Sequence, residues 1–150
     1  MSKAPLHAAA GTLAMLLIVT FWTSTVVSEL FLDASVVATV KRYIAVYGLA
    51  CLVVLMAMTG GSGFVLANGR KGRLIEEKKK RMPFIGANGI LIMIPAAIFL
   101  HQKAESGVFD VWFYVVQTLE LVVGLVQLTL MGKSFRAGLR LGGRLQRPGA

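Results

Sequence analysis

The chain has 150 residues, of which 56% are hydrophobic and only 15% are charged, and its mean hydropathy is +0.71. Soluble domains carry about a quarter charged residues, so this composition excludes an ordinary soluble protein and favours an integral membrane protein. The net charge of +9 does not indicate nucleic-acid binding, because the basic residues fall in connections and a tail, where membrane topology alone would place them.

Four apolar stretches follow one another along the chain, each long enough for the roughly 20 residues that a membrane-spanning helix needs. They predict helices at about residues 8–30, 43–67, 83–101 and 110–131. We therefore expect an all-α integral membrane four-helix bundle, with four transmembrane helices, over residues 1–132, and a basic cytoplasmic tail over residues 133–150. Residues 29–43 are polar at both ends, so they are expected to extend helices one and two beyond the bilayer.

The second and third apolar stretches are rich in glycine, in the segments MAMTGGSGF and PFIGANG. Small residues let membrane helices approach each other closely, and a further glycine lies in the fourth stretch. Close helix packing is therefore predicted at Gly60, Gly61, Gly63, Gly86, Gly89 and Gly124. Alternatively, the glycines of helix two could open its backbone carbonyls to an ion, but that helix offers no anionic side chain in support.

Two prolines mark the third stretch. Pro83 follows a basic run, and its fixed φ and missing N–H suit the first turn of a helix, so it is predicted to begin helix three. Pro95 lies inside the same stretch and removes one backbone hydrogen bond. Helix three is therefore expected to bend at Pro95.

Basic residues are distributed unequally between the two sides of the predicted bundle. One side has only Lys41, Arg42 and Lys103, beside four acidic residues. Because short loops rich in Lys and Arg stay cytoplasmic, both termini are predicted to be cytoplasmic, in a bacterial-type inner (plasma) membrane. The basic side is predicted to contact anionic lipid headgroups. The residues concerned are Arg70, Lys71, Arg73, Lys78, Lys79, Lys80, Arg81, Arg136, Arg140 and Arg144.

The fourth stretch contains a stripe of polar residues. At 100° per residue, Gln117, Glu120 and Gln127 fall on one face of a helix, which we call the polar stripe. The other residues on this face are Asp110, Phe113, Gly124 and Met131. A polar group that faces lipid has no hydrogen-bond partner, so the stripe is predicted to face protein.

Glu120 would lie roughly 13 Å from the start of helix four, near the bilayer midplane. An ionised carboxylate there costs about 2.5 to 3.5 kcal/mol on insertion scales. Glu120 is therefore expected to be protonated, paired or beside water. No Lys or Arg lies at a similar depth in the four predicted helices, so a protonated and hydrogen-bonded acid is favoured. Its predicted partners on other helices are Thr20, Ser24 and Asn88. The stripe could be a neutral internal brace, a proton, ion or quinone-related site, or an interface with another subunit.

Residues that commonly hold cofactors are few. Cys51 has no partner for an intrachain disulfide and is expected to be a small core residue. His7 and His101 lie at opposite ends of their helices, which excludes one haem ligated by both within a subunit. No metal or cofactor is predicted, with haem or quinone retained as an alternative. An aromatic belt at the membrane interface is assigned to seven residues: Phe21, Trp22, Tyr43, Tyr47, Trp112, Phe113 and Tyr114.

The sequence contains no nucleophile and base pair, phosphate-binding glycine loop or metal-ligand motif, so an enzyme is not expected. Small size and short loops favour a non-enzymatic accessory, anchor or assembly subunit of a larger membrane complex. Its partners would be the lipid bilayer and another membrane subunit or a second copy of the chain. Two alternatives are proton- or ion-coupled transport through the polar stripe, and a quinone- or haem-binding role in a respiratory assembly.

Overall fold

A computed structural model describes residues 3–68 and 71–141, and this part of the chain is helical, without a strand. The helices are α1 (Lys3–Phe31), α2 (Ala34–Tyr43), α3 (Leu49–Ala67), α4 (Arg73–Asn88), α5 (Ile94–Glu105) and α6 (Val111–Leu141). A π-helical turn, Ile44–Gly48, joins α2 to α3, and a second, Gly89–Met93, joins α4 to α5. The chain thus forms four continuous rods, named here spans 1 to 4: α1, α2 with α3, α4 with α5, and α6.

All four spans are long and apolar enough to cross a membrane. This confirms the prediction of an all-helical chain with four such helices. Their outward faces carry large apolar side chains such as Leu16, Val54, Leu91 and Val122, all of which are exposed. Continuous apolar surface of this extent is typical of helices that face lipid rather than water.

All four spans extend beyond the ends that hydropathy predicted, span 1 by beginning at Lys3. Span 2 begins at Ala34, span 3 begins at Arg73, and span 4 continues to Leu141. Hydropathy falls where charged residues begin, but Lys, Arg and Glu are good helix formers, so the helix itself continues. In α4 the Glu77 carboxylate also accepts hydrogen bonds from Arg73 and Arg81, at 3.1 and 3.0 Å and one turn away on either side.

The two prolines occupy different positions from those predicted. Pro83 lies inside α4 rather than at its start, because the basic run before it is already helical. Pro95 lies in the first turn of α5, directly after the π-helical turn Gly89–Met93. A proline ring collides with the carbonyl four residues earlier and supplies no N–H, and a wider turn at that point accommodates both defects. The irregularity expected at Pro95 therefore takes the form of a π-helical turn.

Aspartates begin two of the helices. Asp33 precedes α2 and accepts a hydrogen bond from the Val36 N–H at 3.2 Å, while Asp110 precedes α6 and accepts from the Phe113 N–H at 3.0 Å. A hydrogen bond from the Ser35 hydroxyl lowers the pKa of Asp33 below its ordinary value. The Lys103 ammonium, 2.6 Å from Asp110, lowers the pKa of that carboxyl in the same way.

Gly107 ends α5 in the left-handed conformation, at φ 69°. Its N–H donates to the Ala104 carbonyl at 3.1 Å, and the Val108 N–H donates to the Lys103 carbonyl at 2.9 Å. These two bonds form a Schellman motif, for which glycine is the preferred residue. The turn from α5 to α6 is therefore encoded locally.

The helices pack so that α1 contacts α3 and α6, α4 contacts α6, and α2 contacts α5. We call the end where α1 and α4 begin the basic end, and the opposite end the far end. One core cluster consists of Ala14, Ile18, Ile85 and Met131, and the far end is filled by Val37, Leu100, Ala104 and Phe113. The α1 side chain of Phe21 lies so close to Gly48 that a Cβ there would overlap its ring.

Leu100→Ala should destabilise the fold by about 2 kcal/mol or more, because the side chain is 0% exposed and its removal leaves a cavity. Leu119→Ala, on the outer face of α6 at 48% exposure, should change stability by no more than about 0.5 kcal/mol. Unfolding of both variants in mixed detergent micelles measures the difference. Equal losses for the two would contradict the packing at the far end.

Candidate functional site

The polar stripe of span 4 faces the interior of the bundle. The buried residues of α6 are Phe113, Gln117, Glu120, Gly124, Gln127, Met131 and Ala137. The exposed residues of the same helix include Val115, Leu119 and Val122. The predicted orientation of the stripe toward protein is therefore confirmed.

Glu120 meets a lysine in the interior. Lys41 Nζ donates to Glu120 Oε2 at 2.7 Å, and the lysine side chain is only 1% exposed. The expectation that no Lys or Arg lies at the depth of Glu120 is wrong, and the paired arrangement, one of the alternatives for this acid, is the one observed. Lys41 is the eighth residue of α2, roughly 10 Å along the axis from the far end, and so lies at nearly the depth of Glu120.

The sequence did contain a signal for this pair. Lys41 follows Val37 by four residues and precedes Ile44 by three, so all three lie on one face of a helix. The structure buries that whole face. The assignment of residues 29–43 to an outer extension concealed it, because a lysine outside the bilayer needs no internal partner.

Further polar groups surround the ion pair. Gln117 Nε2 lies 3.3 Å from Glu120 Oε2 and donates to it. Gln117 Oε1 and Glu29 Oε1 are buried and accept no hydrogen bond from the described residues. Since Lys41 lies on span 2 and Glu120 on span 4, this charge-assisted bond fixes the relative depth of two spans, and sliding either one would leave a buried charge unpaired.

A second polar contact joins spans 3 and 4. Asn88 Nδ2 donates to Gln127 Oε1 at 2.8 Å, and Gln127 Nε2 donates to the Ile85 carbonyl at 3.1 Å. The structure thus brings Asn88 to the polar stripe, at Gln127 rather than at Glu120. Both ends of the Gln127 amide are satisfied, which a buried amide requires.

The predicted hydroxyl partners on span 1 do not reach the stripe. Thr20 donates to the Leu16 carbonyl at 2.9 Å and Ser24 to the Phe21 carbonyl at 3.1 Å, so each hydroxyl is satisfied on its own helix. Span 1 contributes Trp22 instead. Its Nε1 donates to the Leu121 carbonyl of α6 at 3.0 Å, so Trp22, like the buried Phe113, packs inside the bundle, whereas Tyr43, Tyr47, Trp112 and Tyr114 of the predicted belt are exposed.

The glycines divide into two groups. A Cβ added at Gly63 would lie 2.6 Å from Met82 Cε, at Gly124 3.1 Å from the Trp22 ring, and at Gly89 4.0 Å from Gln127 Nε2. A Cβ at any of the remaining three would meet no atom within 4 Å, so the prediction of close packing is wrong for Gly60, Gly61 and Gly86. Sequence shows that a residue is small but not whether its space is filled.

Part of the space beside the glycines belongs to a central cavity of about 750 Å³. All four spans line it, with mostly apolar side chains, and Gly60 and Gly86 are among the lining residues whereas Gly61 is not. Val53 of span 2 and Ile90 of span 3 line the cavity and are nevertheless 49% and 66% exposed. The cavity therefore opens on the outer surface of the bundle between spans 2 and 3.

Polar groups reach the cavity wall at two levels. Glu120 and Gln127 line its middle, and toward the basic end it is lined by His7, Lys78, Lys79 and Ser134. Its volume falls in the range of about 300 to 1,000 Å³ that is typical of sites for small molecules. An apolar cavity with a small number of convergent polar groups is the usual form of such a site.

The polar group at the basic end is built around His7. Its Nδ1 lies 3.0 Å from the Thr59 carbonyl and 3.1 Å from Ser62 Oγ, and its Nε2 lies 3.1 Å from Lys78 Nζ. A carbonyl can only accept, so Nδ1 carries the proton, and Nε2 accepts from the lysine. Ser62 donates in turn to the Met58 carbonyl at 2.5 Å.

Apart from Lys78, the residues predicted to contact lipid headgroups lie mainly on the surface of the basic end. Lys71, Arg73, Lys79, Lys80, Arg136 and Arg140 are exposed there, and Arg81 is partly buried beside Glu77. Arg81, Arg136 and Arg140 line a surface cleft of about 190 Å³. Arg70 and Arg144 lie outside the described residues. Lys78 contacts another helix through its hydrogen bond to His7 of α1.

Candidate cofactor ligands take other roles. Cys51 is exposed on the outer face of α3, so its assignment to the core is wrong. Both ring nitrogens of His7 are engaged in hydrogen bonds. Within residues 3–68 and 71–141, no three His, Cys, Asp or Glu side chains converge in a way that could hold a metal ion.

Comparison with known proteins gives no relative for this arrangement. No protein-family model matches the chain, and no curated protein or solved structure matches it either. Function must in any case be inferred from a site rather than from a fold. A functional conclusion therefore depends on the ion pair, the cavity and the polar groups on the cavity wall.

Lys41→Met and Glu120→Leu should each destabilise the bundle by about 3 to 5 kcal/mol, because each leaves the other charge buried and unpaired. The double variant should be destabilised by much less than the sum of the two single losses, since neither member of the pair is then left without the other. Arg42→Met is the matched control, because Arg42 is the exposed neighbour of Lys41. Detergent unfolding of the four proteins measures the coupling, and additive losses in the double variant would contradict the pair.

Proposed function

We propose that the protein is a non-enzymatic, multi-pass membrane protein that holds a lipid-soluble, amphipathic small molecule in its central cavity. The observation that supports this proposal is the 750 Å³ cavity, with its apolar lining and its opening between spans 2 and 3. In a bilayer that opening would face the acyl chains. A molecule dissolved in the membrane could then enter without crossing water.

The lining matches an amphipathic ligand better than a polar one. Apolar side chains along the wall would hold a hydrocarbon chain or ring system, because burying such a surface needs no directional partner. Polar groups occur only at the level of Glu120 and Gln127 and at the basic end. These two levels would fix the polar parts of the ligand, and the apolar wall would hold the remainder.

Of the cofactors considered from sequence, a quinone falls within this class of ligand and haem does not fit as well. Haem iron needs a free ring nitrogen or another strong axial ligand. His7, the histidine that lines the cavity, donates from Nδ1 to Thr59 and accepts at Nε2 from Lys78. Ligation through His7 would require these bonds to break.

The accessory-subunit and transport functions predicted from the sequence are supported by fewer observations than a ligand-holding cavity. A role as an accessory or assembly subunit, with another membrane protein or a second copy as partner, is compatible with a ligand-holding bundle and stays a prediction. Proton-coupled transport would use Glu120 as its ionisable group. Protonation of that acid would leave the buried Lys41 ammonium without its counter-ion, so the pair supports a bracing role for Glu120.

We further propose that the basic end faces the cytoplasm of a bacterial-type inner membrane. Two of the three basic residues at the far end are neutralised by internal partners, Lys41 by Glu120 and Lys103 by Asp110. The exposed positive charge of the described residues is therefore concentrated at the basic end. That asymmetry is the signal that orients membrane proteins.

Orientation can be measured with single cysteines in a Cys51→Ala background. Ser106→Cys, in the exposed turn at the far end, should react with a membrane-impermeant maleimide on intact cells. Lys71→Cys, exposed at the basic end, should react only after the cells are permeabilised. The reverse pattern of labelling would overturn the proposed orientation.

Occupancy of the cavity can be tested with hexadecan-1-ol, an uncharged single-chain amphiphile. Gly60→Leu adds a side chain that meets no atom near its Cβ and fills cavity space, so binding should fall about tenfold or more. Gly61→Leu is the matched control, because Gly61 has equally open space and does not line the cavity. Native mass spectrometry from lipid nanodiscs measures bound alcohol. Failure of the wild type to bind, or equal loss in both variants, would contradict the proposal.

A further inference from the structure

The basic end of the cavity contains a positive charge that the described part of the protein does not neutralise. Lys78 forms no ion pair with any described carboxylate. The acidic residues at this end are Glu76 and Glu77, which precede Lys78 directly and so point to other faces of α4. Glu77 is moreover paired with Arg73 and Arg81.

Lys78 also retains unused hydrogen-bond donors. An ammonium has three N–H donors and no acceptor, and one of the three is given to His7 Nε2 at 3.1 Å. The remaining two have no described protein acceptor, although the side chain is partly buried. Lys78 Nζ lies 3.8 Å from the position a Cβ would take at Gly138, so α6 passes close to the ammonium at a residue without a side chain.

Ser134 provides a second, independent indication. Its hydroxyl oxygen is buried and forms no hydrogen bond with the described residues. Ser134 lines the cavity, and it lies one helical turn before Gly138 on the same face of α6. A buried hydroxyl without a protein partner is free to hydrogen-bond a water or a bound group.

His7 makes this arrangement rigid. Its ring is held between the Thr59 carbonyl and the Lys78 ammonium, and the Ser62 hydroxyl supports the same Nδ1. The neutral tautomer set by Thr59 leaves Nε2 as an acceptor, so His7 orients the lysine without cancelling its charge. Lys78 is thereby held on the cavity wall as a fixed donor rather than extended to water.

We infer that the cavity binds an anionic amphiphile, whose negatively charged headgroup, a phosphate monoester or a carboxylate, is bound by Lys78 and Ser134 while its apolar chain fills the cavity. This inference rests on the proposed function and specifies the class of its ligand. Charge-assisted hydrogen bonds from an ammonium to such a headgroup are about twice as strong as neutral ones. The position at the basic end is also where an anionic headgroup lies in a membrane.

The test compares three probes against the full-length chain in nanodiscs by native mass spectrometry. Hexadecyl phosphate and hexadecan-1-ol share one chain and differ in charge, and inorganic phosphate has the charge without the chain. The wild type should bind hexadecyl phosphate at least about tenfold more tightly than the alcohol. Inorganic phosphate should not bind measurably, because it gains nothing from the apolar wall.

Variants assign the preference to particular residues. Lys78→Met should remove most of the preference for hexadecyl phosphate over the alcohol, because Lys79, the other lysine that lines the cavity, is exposed and makes no hydrogen bond to His7. Unchanged binding of the alcohol by this variant shows that the bundle is intact. Lys78→Arg should retain the preference, because the charge remains. Lys80→Met is the matched control, since Lys80 is exposed at the same end and does not line the cavity. Ser134→Ala should give a smaller loss for hexadecyl phosphate alone.

The outcomes separate this inference from the proposed function. If the wild type binds both single-chain probes equally, or if Lys78→Met keeps the preference, the anionic headgroup site is wrong and the cavity proposal stands. If neither single-chain probe binds, the proposed function itself fails. Binding of inorganic phosphate as tight as that of hexadecyl phosphate would replace the amphiphile with a free anion. If Lys78→Met binds neither hexadecyl phosphate nor hexadecan-1-ol, that variant has lost its fold. The inference then stands or fails on whether the wild type prefers hexadecyl phosphate to the alcohol and whether Lys78→Arg keeps that preference.

Discussion

The bond between Lys41 and Glu120 is the constraint on which the arrangement of the spans depends. This bond is an ion pair inside the protein, between a lysine of span 2 and a glutamate of span 4. Each charge would be costly if buried alone, and their attraction offsets that cost only when the two atoms meet. Sliding one span along the other would separate the two atoms and leave both charges buried without a partner.

That fixed geometry also leaves room for a cavity. The apolar contacts of the bundle are concentrated in clusters, around Leu100 and Phe113 at the far end and around Ile85 and Met131 on the other side of the ion pair. Between spans 2 and 3, glycines replace larger side chains, and nothing from the neighbouring helices fills the space at Gly60 and Gly86. An unfilled apolar volume forgoes dispersion contacts, so it reduces stability. Binding of a hydrophobic guest would restore those contacts.

Charge acts in this protein at two scales. Over the whole molecule, basic side chains gather at one end, which is a long-range signal for orientation in a membrane. At the scale of single side chains, Lys78 is held at the cavity wall by its hydrogen bond to His7, whereas Lys79, which also lines the cavity, is exposed, and Lys80 is exposed and does not line it. Lys78 is part of the basic run in the sequence, and in the structure it lines the cavity. The two roles are compatible, because the headgroup of an anionic amphiphile lies at the same level as the basic end.

The sequence alone determined the number of spans, their apolar outer faces and the inward face of α6, because composition and the 3.6-residue period are local properties. It also contained the Schellman turn at Gly107 and the defect at Pro95, which follow from backbone chemistry at single residues.

It did not determine that Lys41 reaches Glu120, that Asn88 reaches Gln127 rather than the acid, or that Trp22 packs on α6. Those contacts depend on the depth and rotation of one helix relative to another, which no single segment specifies. The cavity and its cationic wall were decided only by the tertiary structure, for the same reason. The sequence shows where a glycine or a lysine occurs, but the neighbouring helices decide whether the space beside it is filled.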